Sequence, residues 1–233
     1  MSQTEVSRRK ALIGASAAAV AAFVPSIFGA SSAWGARPDG KVIEPSRIVT
    51  FLRRGNVRWA KGKPIRWSYA PKKAKLTDGQ WPIAAVLSCA DSRVQPDELF
   101  DLTPANLFVV RNAGNVVDED VLGSLEYAVE HLEVRVIVVM GHSLCGAVKA
   151  SEASLASGTL PGGHVKAVVE RILPALRGLI SGHTLADAVS ANTVQSAMQL
   201  VEESDILREF HEKGELIIVH GVYDLATKKV ALI

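Results

Sequence analysis

Four short apolar runs constrain this chain more than any other feature. They lie at residues 83–88, 107–110, 134–140 and 216–219, unbroken but for Arg135 and each ended by Gly, Pro or polar residues. A strand with one wet face alternates apolar with polar side chains. A run without alternation belongs to a strand covered on both faces. Between the runs, apolar residues recur at helical spacing over 121–132, 147–157, 164–179 and 185–201. Strands alternating with helices specify an α/β fold with a mainly parallel central sheet flanked by helices. Ahead of the first run, Ile48, Val49, Leu52 and Val57 mark one or two amphipathic helices in 45–61, an N-terminal helical arm. After the Tyr223-Asp224 turn, 229–233 adds a C-terminal edge strand.

The first 33 residues have a different texture. Ser7-Arg8-Arg9-Lys10 precedes an apolar run at 11–30, and Ser31-Ser32-Ala33 follows it. That is the basic, apolar and small-residue order of a secretory signal, and the paired arginines resemble a twin-arginine leader. A run of about twenty residues is long enough to span a bilayer. This one contains Pro25 and only seven Leu, Ile, Val or Phe. At roughly −0.3 to −0.6 kcal/mol for each of those, insertion is marginal. The expectation is a cleaved signal over 1–33, with a site after Ala33 or as late as Ala36, and one domain over 34–233. Such a protein is exported, periplasmic or extracellular, and meets a membrane only during export. The charge balance names no nucleic-acid partner. Of 26 basic and 24 acidic residues, Arg8, Arg9, Lys10 and Glu5 lie in the leader, which leaves 23 of each.

Two clusters begin where buried runs end: Cys89-Ala90-Asp91-Ser92-Arg93 and Gly141-His142-Ser143-Leu144-Cys145-Gly146. Ligands of open α/β sheets bind at the carboxyl ends of strands. If these two strands are neighbours, Cys89, His142 and Cys145 converge. Cys89 and Cys145 are the chain's only cysteines, and in an exported protein a disulfide between them is one reading. The other is a Cys₂His metal site with one open position, whose soft ligands select zinc over magnesium or calcium. Asp91 and Arg93 read by themselves as a structural ion pair. On the residues alone, both choices stay open.

The paired motifs resemble those of the β-class carbonic anhydrases: Cys-x-Asp-Ser-Arg, followed some fifty residues later by Gly-His-x-x-Cys-Gly. Residues 107–115 and 124–128, Asn56 with Arg58, and Tyr223-Asp224-Leu225 are similar to further segments of that family, so the likeness covers about 45–233. It implies a zinc lyase that interconverts carbon dioxide and bicarbonate, with one zinc per subunit, in a homodimer or higher homo-oligomer. By the same resemblance Cys89, His142 and Cys145 bind zinc, and Asp91 and Arg93 form the dyad beside the fourth position. Gln80, nine residues before Cys89, hydrogen-bonds the substrate. Phe108 and Tyr127 line an apolar pocket at the subunit boundary. Ala113 departs from the Val common in plant-like members and widens that pocket. Val86 stands where members with an acid-switched, blocked site carry Trp, which implies the open-site type. Family members acting on carbonyl sulfide or carbon disulfide use the same chemistry and are the enzymatic alternative. A purely structural zinc domain would want a fourth protein ligand.

Overall fold

The computed structural model describes residues 43–65 and 79–233. The expected leader, its cleavage site and the start of the 34–233 domain lie outside the described residues. A five-stranded sheet runs in the order β2-β1-β3-β4-β5. Its strands are β1 (Ala84–Cys89), β2 (Leu107–Asn112), β3 (Val136–His142), β4 (Ile217–Tyr223) and β5 (Val230–Leu232). The first four are parallel, and β5 pairs antiparallel with β4 as the edge strand.

The two central strands, β1 and β3, are buried at every position, as their unbroken apolar runs require. Their alternate side chains feed two different cores. Ala85, Leu87, Ile137 and Val139 face α3 (Glu119–His131), α6 (Leu185–Glu203) and α7 (Asp205–Glu212) through Leu125, Val129, Leu200 and Leu207. Ala84, Val86, Val138 and Met140 face the other way, onto α1 (Pro45–Ala60) and α2 (Pro96–Leu99) through Ile48, Leu52 and Leu99. Each fully buried leucine among these contributes about 1.5–3 kcal/mol. A third, smaller core surrounds Cys89 and Cys145. It draws on α4 (Gly146–Ser157), α5 (Val165–Arg177) and the start of α6, through Val148, Ile172, Ala188 and Val189. No helix among the described residues is long and apolar enough to cross a membrane.

The elements differ from expectation at a few boundaries. The apolar run at 134–140 begins two residues before β3. Val134 donates its N–H to the Ala128 carbonyl and closes α3, after Glu133 has turned the chain through a left-handed φ of 55°. The expected helix 185–201 continues to Glu203, and Ser204 then caps α7, accepting the Leu207 N–H at 3.1 Å. α1 is a single helix tied to the body of the domain. Its Asn56 donates to the carbonyls of Leu99 and Lys228 and accepts the Val230 N–H.

Candidate metal centre

β1 and β3 are adjacent and parallel, so their carboxyl ends deliver Cys89 and His142 to the same rim of the sheet. The order of strand addition reverses there, with β2 on one side of β1 and β3 on the other, which is where open α/β sheets bind ligands. Cys145 arrives three residues after His142, as the N-cap of α4. The ligand atoms of Cys89, His142 and Cys145 lie within 4.8 Å of one another, and all three residues are buried. Both cysteines are free thiols, so the chain does not adopt the disulfide alternative.

The donor set suits zinc on its own chemistry. His142 Nδ1 lies 3.0 Å from the Ser143 carbonyl oxygen and donates to it, which leaves the lone pair on Nε2. Nε2 is buried without a hydrogen-bond partner, a costly arrangement unless a cation takes the lone pair. The Cys89 thiol is pulled down to about 4. The hydrogen bond from Cys145 does most of this, and the Gly114 N–H at 3.3 Å assists against the opposing effect of burial. Cys145 is pushed up, first by its hydrogen bond to Cys89 and then by burial, although the N–H groups of Val148 and Ala147 at the helix start favour its thiolate. One thiolate therefore forms readily while the second is resisted by the first. A dication between them removes that resistance. Two sulfurs and one nitrogen, the ligand group that the described residues offer, match the three protein ligands of a catalytic zinc.

Asp91 and Arg93 sit beside this group. Arg93 donates from Nε to Asp91 Oδ1 at 2.9 Å and from Nη2 to Oδ2 at 2.7 Å, and its backbone N–H also reaches Oδ1. This fork holds the Asp91 carboxyl well below the usual carboxylate range. Oδ2 is also 3.9 Å from His142 Nε2, so the carboxylate borders the ligand cluster. Sequence reasoning gave no role to Arg111, which donates to the Cys89 carbonyl at 3.0 Å, the Asp91 carbonyl at 2.7 Å and Gln95 Oε1 at 3.2 Å. A cation directly after the apolar run 107–110 was the available signal.

The expected pocket residues are not brought to the chain's own metal centre. Phe108 pairs in register with Ala85 near the amino end of β1, whereas Cys89 closes its carboxyl end. Four residues of strand separate those levels, about 13 Å. Tyr127 packs on Phe108 with ring centroids 6.3 Å apart. Gln80 is exposed and precedes the amino end of β1.

The family described as Carbonic anhydrase matches residues 84–230. A carbonic anhydrase of Mycolicibacterium smegmatis is 42% identical over 184 residues, covering 78% of this chain and 89% of that protein. Among solved structures, the Coccomyxa β-carbonic anhydrase in complex with acetazolamide superposes with a TM-score of 0.59 at 25% identity, over 82% of this chain and 89% of that one. The chain belongs to the β-class carbonic anhydrases. It shares its fold with one chain from the crystal structures of two tetrameric β-carbonic anhydrases of Sordaria macrospora, at a TM-score of 0.59 and 22% identity over 80% of this chain and 97% of that one. As a carbonic anhydrase it is a lyase for the reversible hydration of carbon dioxide to bicarbonate, dependent on one zinc per subunit.

Proposed function

We propose that this carbonic anhydrase works through an open site, in which Cys89, His142 and Cys145 hold the zinc and Asp91 stays on Arg93, leaving the fourth direction free. The observation that carries this reading is the two-pronged Asp91–Arg93 fork beside the three ligand atoms. Zinc supplies hydroxide near neutral pH by acidifying water. The chain's own residues do the rest. Two thiolates offset the metal charge, and the nearby Arg93 guanidinium restores a positive field. Asp91, kept ionised, can only accept a hydrogen bond at Oδ2, so it orients the nucleophile and cannot donate a proton to it. The Ser143 carbonyl fixes the tautomer of His142. Gln80 supplies a donor to the substrate, and Val86 leaves no indole N–H to stabilise a blocked form.

The site is completed by assembly. Gln80, Phe108 and Tyr127 lie toward the amino end of β1, and Tyr127 is 41% exposed, which supports a role for them at a second subunit's zinc in a homodimer or larger oligomer. The paired arginines at 8–9 and the small residues at 31–33 support export with removal of the leader. Arg8 and Arg9 both changed to Lys leaves precursor in the cytoplasm on this reading. Unimpaired export of that variant rules out a twin-arginine route.

The pH behaviour follows from the fork. Arg93 depresses the folded pKa of Asp91, so the pair is fully formed above the ordinary carboxylate range near 4 and is lost only as pH falls below it. Acidification from pH 8 to pH 5.5 leaves Asp91 on Arg93. Arg93→Ala removes the restraint, lowers turnover by about 10²-fold or more and lets Asp91 capture the zinc. Crystal structures of both proteins near pH 7 test this. Asp91 found away from Arg93 in the unmutated enzyme, or an open site in Arg93→Ala, refutes the reading.

A further inference from the structure

One buried polar contact reaches the metal centre from α6, a helix that contributes no ligand. The interior face of α6 carries Ala188, Asn192, Ser196 and Leu200 at four-residue spacing, all buried. Asn192 is 1% exposed, and its Nδ2 donates to the Gly114 carbonyl at 2.8 Å. Its Oδ1 is buried with no partner. A leucine would fill much of the same space but would leave the Gly114 carbonyl without this donor, so packing alone does not explain an asparagine here.

Gly114 gives the contact its consequence. The residue sits in a short 3₁₀ turn after β2 with φ 75° and ψ 14°, a left-handed conformation open to glycine. A Cβ there would come within 2.8 Å of Ile172 Cδ1 and 3.1 Å of Ala147 Cβ, so the turn is pressed against α5 and the start of α4. Its N–H points at Cys89 Sγ, 3.3 Å away, while its carbonyl is the one Asn192 holds. With no side chain to fix the rotation of this residue, the anchored carbonyl sets the aim of the N–H.

We infer that Asn192 is a positioning residue for Cys89: by holding the Gly114 carbonyl it keeps the Gly114 N–H on the sulfur, and so tunes the electron density that sulfur offers a metal. The inference rests on the reading of Cys89 as a zinc ligand. A hydrogen bond to a thiolate draws charge from it, and partners of this outer kind alter metal affinity by roughly 10- to 100-fold. Without that bond the sulfur is richer in electrons and offsets more of the metal's charge.

Asn192→Leu, stripped of zinc and reloaded with cobalt(II) or with cadmium-113, tests the inference. In the unmutated cadmium protein the Gly114 amide proton shows scalar coupling to the metal through the N–H···S bond. In Asn192→Leu that coupling is lost, the thiolate-to-cobalt charge-transfer band moves to lower energy, and zinc affinity falls about tenfold. Ser196→Ala, one turn along the same helix face and removing a buried hydroxyl that has no hydrogen-bond partner, leaves band and coupling unchanged. Should Asn192→Leu not fold, Asn192→Ser is read in the same way. Absence of the coupling in the unmutated protein overturns the inference, as does an unshifted band in an Asn192 variant that merely melts earlier. Absence of any thiolate-to-cobalt band in the unmutated protein signals instead that the ligand reading has failed.

Discussion

The two chain segments that build the metal centre are held in place by different means. The end of β3 is organised largely from within itself: His142 donates to the carbonyl of Ser143, and Cys145 caps the helix that starts at the next residue. Beyond the ladder with β4, its long-range hydrogen bonds run to residues 223–225, the Ser143 N–H to the Tyr223 carbonyl and the Leu225 N–H to Ser143 Oγ. The end of β1 has the local Asp91–Arg93 fork, but Cys89 itself is held from a distance. Arg111 grips the carbonyls of Cys89 and Asp91 from β2, and Gly114, in turn held by Asn192 on α6, covers the sulfur. One half of the site is thus a local motif. The other exists only when three separate elements have docked, so the zinc site is completed together with the domain.

Replacing a ligand on either side has the largest effect and erases the contrast. Cys89→Ser and Cys145→Ser each lose zinc by metal analysis and lower carbon dioxide hydration by about 10³-fold or more, because the ligand set then has too few soft donors. Retention of stoichiometric zinc and activity in either variant excludes that cysteine as a ligand.

Arg111→Ala breaks the distant half alone. Loss of hydrogen bonds from a charged donor to two partly buried carbonyls lowers stability by about 2–3 kcal/mol in urea unfolding. Activity falls about 10- to 100-fold as Cys89 and Asp91 lose their common anchor. A change under about 0.5 kcal/mol would mean that the β1 end is as self-sufficient as the β3 end.

Ser143→Ala sharpens the comparison with the smallest change. It removes only the hydroxyl that accepts the Leu225 N–H at 3.0 Å, and leaves the backbone carbonyl that orients His142. The expected cost is about 1 kcal/mol, with zinc content unchanged. Zinc loss in this variant would show that the turn at 223–225, rather than the local motif, places His142.

Much of the architecture was legible without coordinates. The apolar runs marked β1 to β4, the helical spacing marked most of the flanking helices, and β5 followed from its place after a turn; burial on both faces holds throughout β1 and β3, whereas β2 and β4 keep partly exposed positions. The short helices α2 and α7 were not seen. At 4 and 8 residues they are too brief for a helical period to stand out, and Ser204 reads as equally apt to end a helix or begin one. At the metal centre, the ligand and dyad residues carried a motif, whereas Arg111 and Asn192 carried only a position. Asn192 does fall on the four-residue spacing of buried positions in α6, but a polar residue on an apolar helix face has no partner until the fold supplies one.

The sequence by itself determined the layered α/β class, the pair of motifs at strand ends and the residue types able to hold zinc, because side-chain chemistry and local periodicity are properties of the chain. Only the tertiary structure decided that β1 and β3 are neighbours, which turns two separate motifs into one set of ligand atoms within 4.8 Å. It also decided that Phe108 and Tyr127 sit at the opposite end of β1 from Cys89, and that a glycine turn and an asparagine on a later helix stand behind that cysteine. These are matters of strand order and helix docking, fixed by how buried surfaces fit together in the folded domain, and no spacing along the chain encodes them.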